Sequence, residues 1–236
     1  LQQIVCRLAK GQPVKFISHL DWMRAIERAL RRAKLPVAYT AGFNPHPRLA
    51  FSPPLSVGNT SQAELVAAEM SEPVDPHIFQ ERLAAVVPVG IEVLAAWPAP
   101  AAGGKVTFGD LDTADYRVEV WGPVAGEALS HRLQEMLQAE HLPYRRVREG
   151  RVKEFDARPL LRLGEVVEAE GEHAVLRLRL RLGSSGALRP EEMLDMLGLV
   201  PPQFATHIHR LALFAASKAP PKASGQRLSR LLPRRR

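Results

Sequence analysis

The stretch from Val14 to Gly58 constrains the fold most, because it encodes a helix, a stop and a stiff loop in succession. Ser18 and Asp21 form an S-x-x-D pattern, the sequence form of a capping box. Leu20, Met23, Ile26, Leu30 and Ala33 follow at helical spacing and predict one buried stripe. Arg24, Arg28, Arg31 and Arg32 fall off that stripe and form a cationic flank. Pro36 disfavours helical geometry at Leu35, so the helix is expected over 18–34. Residues 14–17 read as a short strand leading in, and 36–40 as a strand leading out. Gly42-Phe43-Asn44-Pro45-His46-Pro47 then alternates freedom and restriction, since Pro fixes φ and glycine can take φ > 0. Such a loop holds Phe43, Asn44 and His46 in set directions; the alternative is a stiff connection with Phe43 in the core.

The remaining pattern extends this start into a fold. A strand is expected at 3–9, a third at 63–70, a helix opened by Asp75-Pro76 and a strand at 90–95. The order β-α-β-β-α-β is the split βαβ of a ferredoxin-like fold. Residues 98–114 read as a linker, Pro-, Ala- and Gly-rich before turning acidic. The order then recurs over 115–217: strand 115–122, helix 125–140, a hairpin about Glu149-Gly150, two strands meeting at Gly171, a helix from Pro190 and a strand at 206–214. The expected architecture is α+β: two tandem ferredoxin-like domains, 1–97 and 115–217, the second with extra strands. A split sheet keeps its helices on one face and leaves the other free to bind. The Pro-, Ser- and Arg-rich tail, 218–236, has little to bury and is expected to be disordered.

Charge is unevenly placed. The chain of 236 residues carries a formal +7. Residues 1–48 hold 9 basic and 2 acidic side chains, and the tail holds 7 basic and none acidic. Clustered cations point to a polyanionic partner, or to an ordinary solvated face. Leu176 to Leu182 alternates Leu and Arg, placing Leu on one strand face and Arg on the other. Glu165, Glu168 and Glu170 are the expected cross-strand partners of those arginines. The single cysteine, Cys6, excludes a disulfide framework and an iron–sulfur cluster held by this chain's own thiolates. His207 and His209 share a strand face, but zinc needs a third ligand that the neighbourhood does not offer, so no metal is expected. No apolar run reaches membrane-spanning length and no signal-peptide pattern opens the chain, so the cytoplasm is the expected compartment and no membrane partner is expected.

KFISHLDWMRAIERALRRAKLPVAY followed by GFNPHPRLAFSPPLSVG resembles the start of the radical-SAM-linked family of bacterial proteins, a domain of unknown function. The resemblance extends through GALRPEEMLDMLGL at 186–199 and HRLALF at 209–214 and stops before the tail. Trp22 stands where the family more often has an aliphatic residue. The resemblance implies association with a radical SAM enzyme. That partner would carry the iron–sulfur cluster and S-adenosylmethionine, with no cofactor bound by this chain.

These features lead to an RNA-binding accessory module that presents an RNA to the partner enzyme. Lys15, Arg24, Arg28, Arg31, Arg32 and Arg48 are the expected phosphate contacts. Ser18 and His19 sit at the anion-favouring helix start, Phe43 or Tyr39 would stack a base, and Asn44 and His46 would hydrogen-bond. A metal-independent endoribonuclease is the alternative, by analogy of fold with CRISPR repeat-processing ribonucleases, with His19, Tyr39 and His46 as acid–base candidates. A protein-only adaptor of the radical SAM enzyme is a third reading.

Overall fold

The computed structural model describes residues 1–100, 104–148, 150–183 and 186–215. The basic tail and Glu149, on which two of the expectations fall, lie outside the described residues. The chain divides into two compact units, Leu1–Leu111 and Asp112–Leu213, with Phe214 and Ala215 grouped with the first.

The first unit runs β1 (Gln3–Lys10), α1 (His19–Arg32), β2 (Leu49–Phe51), β3 (Thr60–Glu69), α2 (Pro76–Ala84) and β4 (Ile91–Pro98). Its strands lie in the order β4-β1-β3, with β2 on β3. All three pairings are antiparallel. Alternate residues of β1, Ile4, Cys6 and Leu8, meet Trp22, Ile26 and Leu30 of α1 and Phe79 and Leu83 of α2 in one core. Both helices start as their sequences direct. The Ser18 hydroxyl accepts from the Asp21 N–H, and the Asp75 carboxylate accepts from the N–H groups of His77 and Ile78. Burial pushes the Cys6 thiol up to about 12, as befits a small core residue.

Several local expectations are corrected. Residues 14–17 form no strand. Gln12–Val14 is a 3₁₀ turn, because Pro13 opens it and Gly11 and Gln12 carbonyls take the following N–H groups. Residues 36–40 pair only as isolated bridges, Val37 with Met70 and Tyr39 with Pro47. Pro36 and Pro47 have no N–H to donate, and β2 takes the second-strand position instead. The buried stripe of α1 is rotated toward Trp22, Ala25 and Ala29. Trp22 is 3% exposed and Leu20 is 53% exposed, since the larger ring claims the core-facing position. The sheet face away from the helices is not free in this unit. Val5, Leu65 and Ala67 are buried there, and Val5 lies directly opposite Trp97. Strand also occupies both ends of the 98–114 stretch: β4 runs to Pro98, with the Ala99 N–H on the Gln3 carbonyl, and strand resumes at the buried Leu111.

The second unit runs β5 (Leu111–Trp121), α3 (Gly126–Gln138), β6 (Pro143–Arg148), β7 (Arg151–Asp156), β8 (Leu161–Glu170), β9 (His173–Arg181), α4 (Pro190–Met196) and β10 (Ala205–Ala215). Its main strands lie in the order β10-β5-β9-β8, and β6 and β7 form a separate hairpin. Without that hairpin, the element and strand orders repeat those of the first unit. Leu176, Leu178 and Leu180 are fully buried, as are Val118 and Val120. Gly126 opens α3 so close to β8 that a Cβ there would stand 2.5 Å from the Ala169 methyl. Among the described residues no helix is long and apolar enough to cross a membrane.

Candidate nucleic-acid interface

The first cluster is built on α1. Its buried stripe fixes the helix against the sheet, which turns Arg24, Arg28, Arg31 and Arg32 to solvent. Arg24 lies 3.6 Å from Asp21, with both side chains more than half exposed, so the pair is weak and screened. Arg32 donates to the Val86 carbonyl and is partly committed. The Ser18 hydroxyl is taken by its cap, donating to the Asp21 carboxylate at 2.7 Å. His19, in the first turn, meets the edge of Phe51 with ring centroids 6.4 Å apart. Lys15 lies with its Nζ 5.0 Å from the Phe16 ring centroid.

The second cluster is the loop before β2. The Thr40 N–H donates to the His46 carbonyl at 2.9 Å, and the His46 N–H donates to the Thr40 hydroxyl at 3.0 Å. Arg48 N–H closes the base on the Ala38 carbonyl. Gly42 has φ 125°, a conformation that a side chain at this turn would strain. The loop is thus internally bonded and held clear of the core. Phe43 is 106% exposed and Tyr39 44%, and Asn44 and His46 are exposed beside them in sequence. The core-packed alternative for Phe43 is ruled out. Arg48 departs from the expected role, because Glu69 takes its guanidinium at 3.0 Å. The two clusters sit on different elements of the same unit, and each makes its described contacts with its own neighbours.

In the second unit the arginine face of β9 is answered, but chiefly by a residue the sequence reading missed. Asp115 on β5 accepts from Arg179 at 2.6 and 2.8 Å and from Arg177 at 3.2 Å. Its bond to the Asp115 carboxylate raises the Arg179 guanidinium above its ordinary value. Glu165 reaches Arg177 at 3.7 Å, whereas Glu168 stands opposite Val175 and Glu170 opposite His173 in the register. Beyond Glu165 the antiparallel register runs away from the arginines toward the turn, so those two carboxylates lie past the arginine positions. The His207 and His209 rings lie 6.5 Å apart. Burial, then the neighbouring His207 and Arg117, hold His209 below its usual range. Among the described residues no three His, Cys, Asp or Glu side chains converge as a metal set.

The second unit also holds a cleft of about 600 Å³ at the root of the β6–β7 hairpin, lined by His141, Tyr144, Phe155 and Asp156 among others. Asp156 accepts from the N–H groups of Leu142 and Arg158 and meets His141 Nδ1 at 3.0 Å. These bonds, His141's first, hold its carboxyl down near about 2. The Glu140 carboxylate lies 3.9 Å from His141 Nε2, so a carboxylate faces each ring nitrogen. Tyr144 donates to Asp195 at 2.9 Å, and burial followed by that bond pushes its phenol up to about 12. Nothing in the sequence spacing marks the His141–Asp156 pair, 15 residues apart; only the hairpin register joins them.

A family model described as an uncharacterized protein conserved in bacteria (DUF2344) matches residues 3–190. No curated protein matches the chain. Among solved structures, the chain is similar to a chain of a Cbf5-Nop10-Gar1 complex, with TM-score 0.47 and 12% identity over 88% of this chain and 47% of that one. It is also similar to a chain of an H/ACA RNP bound to a substrate RNA containing 2′-deoxyuridine, with TM-score 0.44 and 11% identity over 88% and 46%. An archaeal box H/ACA sRNP Nop10-Cbf5 complex gives TM-score 0.44 and 10% identity over the same shares. The chain spans about half the length of these solved chains, and likenesses of this degree do not define a shared activity.

Proposed function

The chain belongs to this family of uncharacterized bacterial proteins, and we propose that it is an RNA-binding accessory module that presents an RNA to a radical SAM partner enzyme. The partner comes from the sequence resemblance of the SHLD and GFNPHP motifs. The RNA comes from the chemistry of the first unit. The observation that carries it is Phe43, a large apolar ring left wholly in solvent on a loop that is bonded into one shape. A ring so exposed gains nothing from folding and is available to stack a base. Asn44 and His46 on the same turn supply hydrogen-bonding groups for a base edge. Arg24, Arg28 and Arg31 on the exposed face of α1 supply phosphate contacts.

In this reading each unit is a ferredoxin-like domain, the second carrying an inserted hairpin. The shared element and strand orders support that assignment. Retention of the protein on single-stranded RNA at low salt, weakened by Phe43→Ala, is the expected result. Absence of any retention ends the reading.

The endoribonuclease alternative has one geometric feature in its favour, and it lies away from His19, Tyr39 and His46. The His141–Asp156 pair fixes an exposed imidazole through its Nδ1, as a general acid–base group requires. Metal-independent cleavage leaving a 2′,3′-cyclic phosphate, lost in His141→Ala or His46→Ala, would select this reading.

A further inference from the structure

The β6–β7 hairpin is an insertion in an otherwise repeated strand order, and its residues are arranged as an anchored, cationic arm. In an antiparallel ribbon, residues directly opposite share a face, as do residues two apart. Tyr144 opposes Phe155, Arg146 opposes Lys153 and Arg148 opposes Arg151, so all six side chains lie on one face. The root of that face is fixed. Arg146 donates two bonds to Glu192, at 2.5 and 2.7 Å, and one to the Ala187 carbonyl at 2.8 Å. Its guanidinium also lies 4.7 Å from the Phe155 ring. Glu192 is 7% exposed and accepts the Arg189 N–H as well, so one carboxylate both starts α4 and holds the arm. Tyr144 bonds to Asp195 on the next turn.

Beyond the root the same face carries Lys153, Arg148 and Arg151, all exposed. Like charges directly opposite across a ribbon are destabilising. The arm sets Lys153 opposite Arg146 and Arg151 opposite Arg148. Glu192 answers Arg146, while Arg151 and Lys153 have no carboxylate partner among the described residues. Lys153 and Arg151 are two residues apart, about 7 Å along the strand. With Arg151 and Lys153 unanswered on an exposed face whose root is held rigid, the arm presents a fixed cationic edge that suits a polyanion.

We propose that the β6–β7 arm is a second RNA contact, with Arg148, Arg151 and Lys153 gripping phosphates of a single-stranded RNA. This rests on the RNA-binding reading above. The test uses the full chain and a fluorescent single-stranded RNA, titrated by anisotropy from 50 to 200 mM salt. Three proteins are compared: wild type, an arm variant (Arg148→Gln, Arg151→Gln, Lys153→Gln) and an α1 variant (Arg24→Gln, Arg28→Gln, Arg31→Gln). At about 0.7 of slope per phosphate, losing three contacts lowers the salt slope by about 2, so across this range wild type should lose roughly 20-fold more affinity than the arm variant.

Thermal melts of the arm variant should match or slightly exceed wild type, because the altered residues are exposed. If the arm variant keeps the wild-type slope while the α1 variant loses it, the arm is only a charged edge that blocks strand pairing and the proposal is overturned. If the arm variant alone changes, the arm stands and the α1 contacts fall. Wild type that binds no RNA overturns both readings. An arm that serves only duplex DNA, leaving RNA affinity unchanged, overturns the choice of partner.

Discussion

Replacing Asp115 with alanine should cost the second unit a measurable part of its stability. The carboxylate is 4% exposed and is the shared acceptor for Arg177 and Arg179. Removing one partner of a fully buried ion pair costs about 3–5 kcal/mol, because the other charge is stranded. Here the two guanidinium side chains are 45% and 38% exposed, so water recovers much of that loss. The remainder is the net worth of charge-assisted hydrogen bonds, about 1.5–3 kcal/mol each when well formed. Only the two bonds to Arg179 are short, and they share one group. A total of about 2–3 kcal/mol follows from these principles. For a chain of this size that lowers Tm by about 5–10 °C. Circular dichroism melts of wild type and Asp115→Ala check the figure. A double-mutant cycle with Arg179→Met should show that most of the loss is shared between the two residues. A shift below about 2 °C would refute the view that this network ties β5 to β9.

Phe43→Ala should leave Tm unchanged, because the ring buries nothing, while weakening single-stranded RNA binding by about 1–3 kcal/mol for a lost stack. A fall in Tm with unchanged binding would show a structural ring instead. His209 is held below its ordinary 6.5 by burial, with His207 and Arg117 adding to the effect and Glu119 opposing it. The unfolded chain therefore takes up the proton first as pH falls, so this contribution is present above about 6.5 and is lost below it. Melts from pH 5 to 8 should show Tm rising toward neutrality, and His209→Gln should flatten that rise. Glu192→Gln should loosen the β6–β7 root and the start of α4 together, seen as faster amide exchange at residues 144–146 and 190–193. Exchange confined to α4 would contradict the shared anchor.

The elements that sequence made legible are those whose signals are local. Ser18 with Asp21, Asp75 with Pro76, and Pro190 each mark a helix start within a turn of chain, and each helix begins there. The Leu and Arg alternation of β9 fixed which face is buried. What escaped depends on register between distant strands. Asp115 is 62 and 64 residues from the arginines it serves, and Glu192 is 46 from Arg146. No spacing rule reaches that far. On α1 the apolar positions allowed two overlapping stripes, and the size of Trp22 decided between them. At the candidate site, proline and glycine spacing foretold a stiff loop, and its internal bonds provide that stiffness. The commitment of Arg48 to Glu69 required the pairing of β2 with β3 and was invisible beforehand.

The most direct test is the salt dependence of single-stranded RNA binding by the full chain. Wild type should bind at 50 mM salt with affinity falling steeply as salt rises, and Arg24→Gln, Arg28→Gln, Arg31→Gln should lower the slope by about 2. Wild type that shows no binding at low salt, or a slope unchanged in the variant, would contradict the RNA-binding surface on α1.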